Sequence, residues 1–384
     1  MAFAMSHCRQ EKSMKEKLEY IGRVFEEGSG TIFMNWTCSG IRFEYSGRIL
    51  MADLEAICGR EVETDEHGKP LNKEFRKTWP YAAVFLDEAE EPFSVFEVND
   101  RQKNYLLYAS EETEKHIVTL IKLTENEKGK LGIRKIWGDG EISQPPERDT
   151  DLRMEFIGDS ITCGFGNMTQ ERDRVYYADE QNGWLTYAAL AGRMLNADVQ
   201  FVSFSGIAVT RGLHEKLNLF HSMPELYPYT DRLIEEKEGK MQDFQKWDFK
   251  NHPRDIVVIN LGTNDPVHIQ ENGEEEKGIA LFEEEYYDFL KMIRTLNGND
   301  TWIICTLGSM DYYLYDNIKK VAEKFAVNEH DERILTFKYG RIRVSEGYGA
   351  IAHPSLATHE RMAGELVEFI RGIPGISRQR SIIN

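Results

Sequence analysis

Met154-Glu155-Phe156-Ile157-Gly158-Asp159-Ser160-Ile161-Thr162-Cys163-Gly164-Phe165-Gly166 is an apolar run that breaks abruptly at Gly-Asp-Ser. Such a run reads as a buried strand ending in a tight turn. Ser160 then stands at the carboxyl edge of the strand, where open α/β sheets build their sites, and a hydroxyl there is placed to act as a nucleophile. The three residues alone suit equally well a serine that merely caps the following helix.

Downstream of this stretch, apolar runs at 154–157, 199–204, 256–261, 302–307 and 334–337 alternate with amphipathic helix candidates at 184–195, 279–296, 312–325 and 358–373. This alternation predicts an α/β domain over 152–384, with a parallel sheet between helices. The charged segment 213–251, with Tyr227-Pro228-Tyr229, reads as a surface excursion. Upstream the period changes to two: Ile41, Phe43 and Tyr45 alternate with Arg42, Glu44 and Ser46. Short runs follow at 82–86, 94–98, 105–108 and 116–123, punctuated by Gly30, Gly40, Gly47, Asn99-Asp100 and the charged cluster 125–130. A polar lead-in and an N-terminal antiparallel β-sandwich of the jelly-roll kind are therefore expected over 1–145, with no residue cluster suggesting chemistry of its own. Pro145-Pro146-Glu147-Arg148-Asp149-Thr150-Asp151 is the expected linker, since paired prolines exclude helix and central strand and the polar run offers nothing to bury.

The 384 residues carry 47 basic and 65 acidic side chains, a formal charge of −18. That balance argues against nucleic acid and against an anionic membrane as partners. Five cysteines without a C-x-x-C spacing indicate neither a disulfide framework nor a structural zinc site. The ten histidines form no H-x-x-x-H or H-x-H pair, so no metal or other cofactor is expected. The first twenty residues contain no apolar core of the length a secretory signal needs, and a cytoplasmic protein is expected.

Three later stretches fall at or after strand ends and could converge on Ser160: Val202-Ser203-Phe204-Ser205-Gly206, Asn260-Leu261-Gly262-Thr263-Asn264-Asp265-Pro266 and His353-Pro354-Ser355. Together they meet the needs of acyl transfer. A serine hydroxyl requires a base, which His353 can be, and the charge developing on the carbonyl oxygen requires preorganised donors. The amides of Ser160 and Gly206 and the side chain of Asn264 would form that oxyanion hole, each such donor being worth about 100-fold or more in rate. Taken alone, His353 equally suits a histidine that opens the last helix. Asp159 and Asp265 read as residues that pin their turns, Cys163 as a small packed thiol and His359 as structural or supporting.

The blocks Gly158-Asp159-Ser160, Gly206, Gly262-Thr263-Asn264-Asp265 and His353-Pro354 resemble those of the SGNH, or GDSL-type, hydrolases. Each block is weak alone; the four in family order are a specific signature. The resemblance implies site roles for Ser160, Gly206, Asn264 and His353. A narrower resemblance, to carbohydrate esterase family 2, rests on the Glu155–Gly164 run, the second histidine six residues after His353, Thr37-Cys38-Ser39-Gly40-Ile41-Arg42-Phe43 and His116-Ile117-Val118. It implies metal-independent removal of acetyl groups from plant polysaccharides such as xylan and glucomannan.

SGNH enzymes commonly place an aspartate two or three residues before the histidine, where this chain has Ile351 and Ala350. The expectation is a Ser160–His353 dyad in which a backbone carbonyl accepts the ring N–H, with Glu346 seven residues away taking no part. Two other classes stay open at this point: an esterase or thioesterase on lipid-like acyl chains, and a non-catalytic carbohydrate-binding protein. Tyr312, Tyr313 and Tyr315 suit either stacking on a sugar ring or packing. The sandwich can bind glycan, cover one side of the cleft or join subunits into a homo-oligomer.

Overall fold

The computed structural model describes residues 14–64, 70–210, 221–271 and 274–376. Most of the leader on which the cytoplasmic expectation rests, and residues 211–220 of the charged excursion, lie outside the described residues. Among the described residues no helix is long and apolar enough to cross a membrane.

The C-terminal half builds a five-stranded parallel sheet in the spatial order Ala197–Ser203, Leu152–Gly158, Ile256–Asn260, Trp302–Leu307, Ile334–Lys338. The strands are rich in apolar residues because both faces of the sheet are covered, and the polar Glu155 and Gln200 they carry are buried as well. Ile157, Val257, Ile259 and Ile303 pack with Phe282, Tyr286 and Ile318 from the helices Glu275–Asn297 and Tyr315–Asn328. Met154, Phe156, Val258 and Ile304 pack with Tyr187, Ala188, Met362 and Leu366 from Tyr187–Met194 and Leu356–Arg371. The register pairs Gly158 with both Ser203 and Asn260, so three strands end level and their loops leave from one edge.

The N-terminal half is a ten-stranded antiparallel sheet. Its spine is the 25-residue strand Gly40–Thr64, which pairs along its first half with Asn104–Lys122 and along its second with Gly129–Gly138. Ile41, Phe43, Tyr45, Leu50, Val118, Leu120 and Ile133 fill the core between these arms. The runs at 105–108 and 116–123, expected as separate strands, are one strand continued through irregular register.

Tertiary packing adds three features that the sequence did not show, the last of which overturns an expectation. Arg42, on the nominally polar face, is buried: it pairs with Glu19 and Glu88 and donates to the Pro146 carbonyl. The linker is tied down, since Arg148 pairs with both Glu19 and Asp198. Within the excursion, Met223, Leu226, Tyr227 and Ile234 are buried, because this segment covers one side of the parallel sheet and meets Phe25 and Phe33 of the N-terminal half. Ala83, Phe85, Ile121 and Leu123 share a single apolar cluster with Phe156 and Phe201, which joins the two halves through a continuous core.

Candidate active site

Ser160 begins a single helical turn, Ser160–Cys163, directly beyond the strand Leu152–Gly158. The turn demands glycine at 158, where a Cβ would lie 2.0 Å from Thr162 Oγ1. The cap of this turn is Asp159, whose carboxylate accepts the Ile161 amide at 3.0 Å. The Ser160 hydroxyl is therefore not engaged in capping, and its Oγ lies 2.9 Å from His353 Nε2. Burial pushes the Asp159 carboxyl up to about 7, against the opposing pull of the Ile161 amide.

His353 lies just ahead of the helix Leu356–Arg371, whose cap is Ser355. Ile351 and Ala352 adopt left-handed backbone, with φ of 47° and 55°. For a β-branched residue that conformation costs about 1–3 kcal/mol and marks a constrained loop. The Ala350 and Ile351 carbonyls lie 3.0 and 3.1 Å from His353 Nδ1. A carbonyl can only accept, so Nδ1 carries the proton and Nε2 presents its lone pair to the Ser160 hydroxyl. The imidazole stacks on Phe165 with 4.1 Å between centroids. Its burial pushes the His353 pKa down to about 4, while the two carbonyls pull it back up. Glu346 faces elsewhere, accepting from Thr358 Oγ1 and pairing with Arg361.

The remaining candidates reach the same edge. Gly206, with φ of 76°, sits in the turn after Ala197–Ser203, and the Phe204 amide ahead of it donates to the Gly158 carbonyl. Among the described residues neither the Ser160 amide nor the Gly206 amide is given to a protein acceptor. Asn264 Nδ2 donates to the Ile207 carbonyl at 2.9 Å and lies 3.4 Å from Asp159 Oδ2. Its side chain thus bridges the loop of Gly206 and the turn of Ser160. Asp265 holds the far side of the same loop by accepting the Thr210 amide and hydroxyl, and burial raises its carboxyl to about 6.

The other marked residues pack. His359 Nδ1 accepts the Tyr187 amide, Cys163 is buried with its thiol pushed well up by that burial, and Tyr313 and Tyr315 lie against the core. Tyr312 carries Lys338 and Arg341 over its ring. Two contributors were missed from sequence. Phe165 lies in the quoted stretch, but its stacking on a histidine 188 positions later leaves no local signal. Glu125 was read as part of a charged turn, yet it is fully buried and accepts the Ser205 amide at 2.9 Å.

Comparison with known proteins agrees with this geometry. Residues 156–330 match the GDSL-like Lipase/Acylhydrolase family. The chain is 27% identical over 339 residues to the cellulase/esterase CelE of Acetivibrio thermocellus, a match that covers 85% of this chain and 39% of that protein. It is 28% identical over 276 residues to an acetylxylan esterase / glucomannan deacetylase of Cellvibrio japonicus, covering 68% of this chain and 71% of that one. Its fold is like that of a family two carbohydrate esterase from Clostridium thermocellum solved with cellohexaose: TM-score 0.75 at 24% identity, over 92% of this chain and 98% of that chain.

Proposed function

We propose that this chain, whose C-terminal domain belongs to the GDSL-like lipase/acylhydrolase family, is a serine esterase that removes O-acetyl groups from plant cell-wall polysaccharides or oligosaccharides derived from them. The single observation that carries the reading is the 2.9 Å contact between Ser160 Oγ and His353 Nε2, with the opposite ring nitrogen held by two carbonyls. In that geometry His353 takes the Ser160 proton as Oγ attacks the acetyl carbon. The amides of Ser160 and Gly206 and the Asn264 side chain receive the oxyanion. His353 then protonates the departing sugar oxygen, and in the second half-reaction it activates the water that releases acetate from the acyl-enzyme. A neutral carbonyl orients the ring but gives the imidazolium less stabilisation than a carboxylate would. The acetylated-saccharide substrate is supported by the Cellvibrio japonicus relative, an acetylxylan esterase / glucomannan deacetylase, and the esterase activity by both relatives.

Acetate release from a panel of acetylated xylo- and glucomanno-oligosaccharides, polymeric acetylxylan and octanoyl esters tests this reading. The parent should release acetate and Ser160→Ala should not. Turnover of octanoyl esters alone would move the enzyme to lipid-like substrates, and turnover of polymer without oligomers would make the intact polysaccharide, not its fragments, the substrate.

A further inference from the structure

Glu125 lies three residues beyond Lys122, where the strand Asn104–Lys122 ends, and reaches into the C-terminal domain. All of its carboxylate's hydrogen-bond donors belong to that other domain. Oε2 accepts the Ser205 amide at 2.9 Å; Oε1 accepts the Ser205 hydroxyl at 2.6 Å and Gln181 Nε2 and the Tyr176 hydroxyl at 3.1 Å each. The Glu125 amide in turn donates to Gln181 Oε1, which locks the approach. None of these donors is a cation. A buried carboxylate satisfied by neutral donors keeps its negative charge effective over a longer distance than one neutralised by a guanidinium.

Two arms lead from this carboxylate to the site. On one, Ser205 is gripped at both amide and hydroxyl, and the next peptide carries the Gly206 N–H, the donor proposed above for the oxyanion. On the other, the Tyr176 ring meets Phe165 edge-on at 4.3 Å, and Phe165 stacks on His353. We propose that Glu125 is a positioning residue of the esterase: it fixes the Gly206 donor and the plane of His353, and it provides from the N-terminal domain the negative charge that the carbonyl-held histidine lacks. This rests on the serine-esterase reading above. It also gives the N-terminal domain a part in the chemistry, since the site is incomplete without it. The direction of the electrostatics agrees, because the Glu125 charge raises the proton affinity of His353. The other charged or titratable groups around it are Lys122, Glu127, Cys163 and Lys128, which lies over the Tyr176 ring.

The test compares the full-length parent with Glu125→Gln, measuring kcat and KM for an acetylated oligosaccharide, the pH profile, the melting temperature and the rate at which a fluorophosphonate labels Ser160. Glutamine removes the charge and, whichever way it turns, sets its NH2 against a pure donor, the Ser205 amide or Gln181 Nε2, so at least one bond of the cluster is lost. The expected result is a kcat lower by about 10- to 100-fold with KM little changed, slower labelling, and an acid limb displaced to lower pH. Parental kcat, or a loss confined to the melting temperature, would overturn the proposal. If Glu125→Gln does not fold, Ser205→Ala decides: it keeps the peptide and removes one of its two anchors, so reduced kcat at unchanged KM supports the proposal and parental kcat refutes it. A parent that is labelled but releases no acetate would refute the substrate reading alone, leaving labelling rates to judge Glu125. A parent that is never labelled would refute the serine-esterase reading and this proposal with it.

Discussion

Glu155 and Glu125 are both buried carboxylates that cross between the halves of this molecule, and their donors give them different work. Glu155, on the first parallel strand, pairs with Arg23 of the N-terminal half at 2.9 Å and also accepts from Tyr227 and Gln200. Arg23 is itself fully buried, donates to the Tyr227 and Tyr229 carbonyls and lies over the rings of Tyr227, Trp247 and Phe249. That pair neutralises itself and holds the halves together far from the chemistry. Glu125 crosses in the opposite sense, from the N-terminal half into the C-terminal one, accepts hydrogen bonds from neutral donors, and lies against the loop that carries Gly206. A buried carboxylate matched by a guanidinium serves as a staple, whereas one matched by amides and hydroxyls leaves a field in the site.

The staple is the easier of the two to break. Arg23→Met leaves Glu155 buried without a cation, which costs about 3–5 kcal/mol. Chemical denaturation should show that loss, while kcat measured on folded protein stays at the parental value; a parallel fall in kcat would erase the distinction between the two carboxylates. The next effect is smaller and sharpens the comparison from the other side. His353 must be unprotonated to act as base, and burial holds its pKa at about 4, below the ordinary value of 6.5. Activity should therefore be lost only as pH falls toward 4, with the acid limb of kcat/KM about two units below that of an unperturbed histidine. Glu155→Gln should leave the limb in place, unlike Glu125→Gln. A limb near 7 would instead report Asp159, whose carboxyl titrates there. The smallest effect belongs to Glu346. Its partners are Thr358 and Arg361, so Glu346→Ala should lower stability by about 1–2 kcal/mol and change kcat by less than about threefold. A several-hundredfold loss of kcat at unchanged stability would make Glu346 a third catalytic member.

Much of the parallel domain was legible because its signals are local. The strands are rich in apolar residues, and the loops that carry Ser160, Gly206 and Asn264 begin where such strands stop, at Gly158, Ser203 and Asn260. The absence of an aspartate at positions 350 and 351 pointed correctly to a backbone partner for the histidine, since a carbonyl is present whatever the side chain. The N-terminal half was less legible. Period-two patterning located its strands, but it gave no sign that Arg42 is buried among Glu19, Glu88 and the Pro146 carbonyl. The cluster at 125–130 shows the same limit: charge in a short segment after a strand has the composition of a solvated turn, yet Glu125, Asn126, Lys128 and Lys130 are all buried.

The sequence by itself therefore determined the elements, their order and the four residues that meet at one sheet edge, because hydrophobic period and strand-end chemistry act over a few neighbouring positions. Only the tertiary structure decided which carboxylates face which donors. The partners of Glu125 lie 51 to 80 positions away, and Arg23 lies 132 positions from Glu155. Pairing across such separations depends on how two cores dock, which no local pattern records.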